Sequence, residues 1–231
     1  MKISNPFKGM SLFEYILWIG SMIAIIIAFL IPDEKEYLNL ITSLVGVTCV
    51  FFIAKGKIFG QIVGIIYAIV YGLISYFHNL YGEVFLAFVF YAPLAIIGVI
   101  EWAKNQYQDT NVVTITKMSK KDYILASTIT IVMTTIAFFV LRALNTQSLI
   151  VSTISIATST MAGYFSIKRS PLYAICYFLN DSVLIIMWSI EANLSISSLP
   201  MVISFITFVI NDLYGFINWL RLRKKQSENS I

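Results

Sequence analysis

Apolar residues run along this chain in eight stretches, each closed by a short polar or basic break. They fall at roughly 14–31, 37–54, 58–77, 84–102, 122–142, 147–167, 171–190 and 199–220. About 20 mostly apolar residues suffice to cross the hydrocarbon core of a bilayer, so each stretch predicts one transmembrane helix. The first is long and lacks a small-x-small cleavage site, so it is expected to stay as a span. The breaks leave no room for a large soluble domain, which excludes an attached ATPase or receptor domain.

The breaks differ in charge. With the N-terminus inside, the cytoplasmic segments hold Lys2, Lys8, Lys55, Lys57, Lys104, Lys117, Lys120, Lys121, Lys168, Arg169, Arg221, Arg223, Lys224 and Lys225. Only Lys35 and Arg142, of the 16 Lys and Arg, fall outside. The positive-inside bias therefore predicts that both termini are cytoplasmic.

Composition sharpens the class. Charged residues make up 12% of the chain and the mean hydropathy is +0.83, whereas soluble domains average about 25% charged. The expectation is an all-α integral membrane protein with the lipid bilayer as its solvent. The net charge of +4 sits at span ends and reads as a topology signal, so no nucleic acid partner is expected. Cys49 and Cys176 lie in apolar runs and read as packing residues without a disulfide. One histidine, His78, cannot make a multi-histidine metal site, and no cofactor motif occurs. His78 reads as surface, and Glu83 as a cap on the fourth span.

The order of spans repeats. Spans two to four run through a KGK turn (55–57) to GVIEW (98–102). Spans six to eight run through a KRS turn (168–170) to GFINW (215–219). Lys55 and Trp102 are 47 residues apart, Lys168 and Trp219 51. Each Gly would admit a neighbouring helix, and each Trp would sit at the inner membrane interface. One connecting helix between the units gives them parallel orientation, a transporter design with its site between the halves. The expected division is an extra N-terminal helix (1–36), a first three-helix bundle (37–103), a cytoplasmic loop and linker helix (104–146), a second bundle (147–225) and a tail (226–231). This is a 3+1+3 arrangement plus one helix.

Polar groups interrupt the spans. An ionisable side chain at bilayer depth costs about 2.5–3.5 kcal/mol and must face the bundle interior. Tyr177, Asp181, Leu184 and Trp188 share one face of the seventh span, flanked by Asn180. The eighth carries Asn211, Asp212 and Tyr214. The third carries Gln61, Tyr67, Tyr71 and Ser75, and the fourth Tyr91, with a kink expected at Pro93. Ser152, Ser155 and Ser159 stripe the sixth and are expected to back-bond or pack. Amides, carboxylates and rings converging at mid-depth suit a flat, polar, ring-bearing ligand. No Lys or Arg falls mid-span, which argues for an uncharged or cationic ligand and against a nucleotide. Asp181, Asn211, Trp188, Tyr177, Asn180, Tyr67, Tyr91, Gln61, Tyr214 and Asp212 are the candidate substrate-binding residues; neighbours on a helix diverge by about 100°, so Asn180 and Asp212 fit less readily than Asp181 and Asn211.

The stretches AKGKIFGQIVGIIYAIVY (54–71), LYGEV (80–84), GVIEW, KRSPLYAICYFLNDSVLIIMW (168–188) and NDLYGFINW (211–219) together resemble the bacterial PnuC vitamin transporters, which are similar to the SWEET sugar carriers. The resemblance spans about residues 37–225. It implies uptake of a nicotinamide riboside-like vitamin or nucleoside across the bacterial inner membrane by facilitated diffusion. A cytoplasmic kinase would then trap the substrate by phosphorylation. It also implies that Asp181, Trp188 and Asn211 match the family's intramembrane Asn/Asp, Trp and Asn. The chain departs by Ala87 and Ala95 where amides are implied, Tyr67 in place of Asn, and Tyr177 in place of Trp. Alternatives are a proton-coupled carrier of thiamine, riboflavin or a deoxynucleoside, and a non-transporting membrane scaffold or sensor subunit. A homo-oligomer stays open, and no enzyme chemistry is expected.

Overall fold

A computed structural model describes residues 5–108, 110–146 and 148–229. Lys2, residue 147 and the last two residues of the tail lie outside them. All regular elements among the described residues are helical, and eight helices are long and apolar enough to cross a membrane. They are α1 (Leu12–Leu30), α2 (Tyr37–Ala54), α3 (Ile58–Phe77), α4 (Tyr81–Lys104), α5 (Lys120–Ala143), α6 (Leu149–Ile167), α7 (Leu172–Leu194) and α8 (Leu199–Glu228). α8 is longer than the eighth apolar stretch because its polar end is anchored. Gln226 donates to the Val113 carbonyl (3.0 Å) and accepts from the Ile115 N–H (2.8 Å).

Local chemistry sets the helix boundaries. Ser11 with Glu14, and Ser119 with Asp122, close capping boxes at the starts of α1 and α5. The KGK turn is closed by Gly56 at φ +65°, which glycine adopts without a Cβ penalty. The KRS turn puts Arg169 at φ +55°. Its side chain is held there by the Thr114 carbonyl and the Thr116 hydroxyl, both at 3.1 Å. In α4, residues Leu86–Tyr91 form a π-helical segment directly before Pro93. Proline has no N–H to return to the carbonyl four residues back, and the ladder slips to the wider spacing.

α2 packs on α3 and on α8, and α7 lies against α6 and α8. α4 lies along α3 and touches α6, while α5 rests on α6 and α1 on α2 and α8. α1 is pinned through Glu14, which pairs with Lys55 and accepts a hydrogen bond from Tyr214 (2.5 Å). Trp102 and Trp219 do not stand at a lipid-facing interface as expected. Both are fully buried, with ring centroids 5.5 Å apart. Trp102 Nε1 donates to the Ser166 carbonyl (3.0 Å), and Trp219 Nε1 donates to the Ile53 carbonyl (3.1 Å). Ring burial and a satisfied N–H together outweigh the interfacial preference.

Candidate functional site

A cavity with about 800 Å³ of empty space opens among α2, α3, α4, α6, α7 and α8. Gln61, Tyr67, Tyr91, Tyr177, Asn180, Asp181 and Asp212 all line it. The Tyr177–Asp181–Leu184 face of α7 points into it, as the helical spacing predicts. The two amides are each held by a neighbour. Asn180 Oδ1 accepts from Ser155 (3.2 Å) and Thr158 (2.9 Å). Gln61 Nε2 donates to the Ser166 hydroxyl (3.3 Å). Gln61 also presses on Gly98, where a Cβ would stand 2.5 Å from its Oε1. Gly98 is therefore the close-approach position that the Gly-x-x-x-Trp pattern suggests.

Three expected residues lie elsewhere. Asn211 is fully buried but turns back on its own helix, donating to the Thr207 carbonyl (2.8 Å). Its neighbour Asp212 takes the cavity face, one 100° step round the helix. Tyr214 points away, toward Glu14 and the Phe51 and Phe13 rings. Trp188 sits behind the cavity wall, its Nε1 3.5 Å from the Tyr71 hydroxyl. Phe205, which does line the cavity, packs on that same Tyr71 ring. Of the serine stripe, Ser159 back-bonds to the Ser155 carbonyl, as expected for serines in apolar helices, whereas Ser155 reaches Asn180.

Two groups read from sequence as peripheral are internal. Leu80 occupies the N-cap of α4, and Glu83 is fully buried, accepting from the Tyr71 hydroxyl (3.0 Å). His78 is not a surface residue. Its Nδ1 is 2.7 Å from Glu191 and its Nε2 3.4 Å from Glu36, and its ring packs on Trp188. The signal for both lay in the cost of an acid or imidazole beside an apolar run. Ser166, Tyr173 and Phe208 also line the cavity without having been singled out. Of the alanines standing where amides are implied, Ala95 lines the cavity and Ala87 is fully buried.

A family model described as nicotinamide mononucleotide transporter matches residues 36–221, from the end of the α1–α2 loop into α8. The chain belongs to the nicotinamide mononucleotide transporter family. It is similar to the nicotinamide riboside transporter PnuC of Neisseria mucosa, 25% identical over 96% of this chain and 86% of that one. It is similar also to that of Haemophilus influenzae, 24% identical over 94% of each. A crystal structure of the vitamin B3 transporter PnuC superposes with a TM-score of 0.82, at 25% identity over 95% of each chain. The protein is thus a multi-pass membrane transporter of the PnuC type, not an enzyme. All the cavity-lining residues named above fall within the matched segment.

Proposed function

We propose that this transporter takes up a nicotinamide riboside-like vitamin or nucleoside, bound in the cavity among α2, α3, α4, α6, α7 and α8. The observation that carries this reading is the lining itself. Tyr67, Tyr91 and Tyr177 offer ring faces, Gln61 and Asn180 offer amides, and Asp181 and Asp212 offer carboxyls. A flat heterocycle with a polar sugar would stack on the first set and hydrogen-bond to the rest. Both termini are cytoplasmic in this reading, in the bacterial inner membrane. The two three-helix units, α2–α4 and α6–α8, rock about the cavity. Movement is facilitated diffusion, and a cytoplasmic kinase traps the product.

Calorimetric titration of the purified protein with nicotinamide riboside, thiamine, riboflavin and deoxynucleosides tests the site. One ligand should bind, with affinity lost in Asn180→Ala and Asp181→Ala and kept in Tyr214→Phe, which lies outside the cavity. Equal loss in Tyr214→Phe, or no binding at all, would remove the cavity from consideration. A proton-coupled carrier is the second reading, favoured by the contact between the Asp181 and Asp212 carboxyls. Counterflow that survives a protonophore would rule it out.

A further inference from the structure

The cavity wall carries an unbalanced charge. Asp181 and Asp212 stand on facing helices, α7 and α8, and are 5% and 2% exposed. The two carboxyls are in contact at the cavity wall. Two acids this close in a buried site cannot both ionise, so they share one proton and carry a single negative charge. Nothing on the wall offsets it: no Lys, Arg or His lines the cavity among the described residues. Asp212 Oδ2, buried at the cavity wall, has no hydrogen-bond partner. The other ionisable groups of the wall are hydroxyls and a thiol: Cys49 on α2, Tyr67 on α3, Tyr91 on α4, and Tyr173 and Tyr177 on α7. None of them supplies a cation. A buried charge without a partner is costly, and a ligand that neutralises it recovers that cost.

We propose that the Asp181–Asp212 pair selects ligands bearing one positive charge on an aromatic ring, an alkylated pyridinium or a thiazolium, over neutral rings of the same shape. The inference rests on the reading of this cavity as the substrate site and deepens it. The tyrosine faces reinforce the choice, because an aromatic ring attracts a cation through its quadrupole. The pair's proton has a defined role: it joins the two acids and holds the charge at one, so a monocation leaves the filled cavity neutral.

Nicotinamide riboside and its 1,4-dihydro form test this directly. They share every heavy atom, but the first carries a pyridinium charge and the second is neutral. Binding to the intact wild-type protein is measured anaerobically by calorimetry for both, with thiamine as a second cation and riboflavin as a second neutral ring. At least one cation should bind, and the dihydro riboside should bind about tenfold more weakly than the riboside, or worse. Asp212→Asn should keep the preference, since an amide N–H replaces the shared proton and the charge stays at one. Asp181→Asn/Asp212→Asn should lose it. The wild-type comparison stands even if the double variant does not fold. Equal or tighter binding of the neutral forms would overturn the charge selection and leave the cavity as the substrate site. Retention of the preference by a folded double variant would do the same. Failure of cations and neutrals alike to bind would overturn the site reading, and the inference with it.

Discussion

The two ends of the helix bundle around the cavity are held by different chemistry. At the end that carries both chain termini, the contact nearest the cavity is uncharged: Trp102 and Trp219 pack tilted against each other, and each donates its indole N–H to a backbone carbonyl. Trp219 also packs on Tyr173, whose centroid lies 4.6 Å away, so the indoles abut a ring of the cavity wall. At the opposite end, Tyr71, Trp188 and Phe205 are backed by an imidazole and two carboxyls. His78 lies between Glu191 and Glu36, and Glu36 also accepts from Asn39 (2.8 Å) and Ser197 (2.5 Å). The indole end draws on buried ring area and directional hydrogen bonds to backbone. The carboxylate end draws on side-chain contacts beside solvent, with the Glu36 side chain 39% exposed. One molecule thus has one end held by buried rings and one held by polar contacts that solvent reaches.

Removing a ring from the indole end should have the largest effect. Trp219→Ala or Trp102→Ala should cost about 3–5 kcal/mol, read as a lowered thermal midpoint in detergent that does not change with salt. A salt-dependent loss would show that the indoles act through charges after all. Glu191→Gln at the carboxylate end, which weakens the contact to His78 Nδ1, should cost less, about 1–3 kcal/mol, read as a smaller drop in the same midpoint.

Between the ends, Cys49 reports on the cavity. It lines the wall and is 5% exposed, so a small thiol reagent should reach it slowly. A cavity ligand at tenfold its Kd should slow that reaction by about tenfold, whereas Cys176, outside the cavity, should be unaffected.

The smallest effect belongs to Lys57, in the turn beyond α2. Its ammonium reaches the Pro6 and Lys8 carbonyls. Burial, with Lys55 adding to it and Glu14 opposing, lowers its pKa to about 8. The unfolded value is about 10.4, so between these two the unfolded chain holds more protons and stability should rise with pH. Below about 8 this contribution should be flat. Lys57→Met should abolish the rise, as seen in thermal midpoints across pH 7.5–10.

Much of this was legible in the sequence because the bilayer imposes its own period. All eight spans follow from apolar run length, with ends displaced by a few residues except at α8. There the helix continues because of Gln226, a contact with a loop more than a hundred residues earlier that no local pattern reveals. The α7 face was readable because Tyr177, Asp181 and Leu184 share helical spacing and a single answer. Asn211 and Asp212 are adjacent, so spacing could not choose between them; packing against α7 did. Tyr214 was drawn away by Glu14 on α1, a helix that precedes the repeated part of the chain. Glu83 and His78 were misread because a polar residue at a span end has an inexpensive explanation, in a cap or in solvent. The alternative needed partners on α3 and α7 that only the fold supplies.

The π-helical segment of α4 also sets the phase of the helix. Eight residues on a regular α-helix leave Glu83 and Tyr91 about 80° apart. A π-turn absorbs about one extra residue, taking back roughly 100° and bringing the two to nearly the same side. That side holds both the Tyr71 partner of Glu83 and the cavity wall. A single-residue deletion within 86–91 would restore a regular helix with its apolar character intact. It would leave Glu83 and Tyr91 seven residues apart, about 20° short of two full turns, so the two would keep their shared side. In this helix the wider turn lets one extra residue be carried while two polar groups go on serving the same interior.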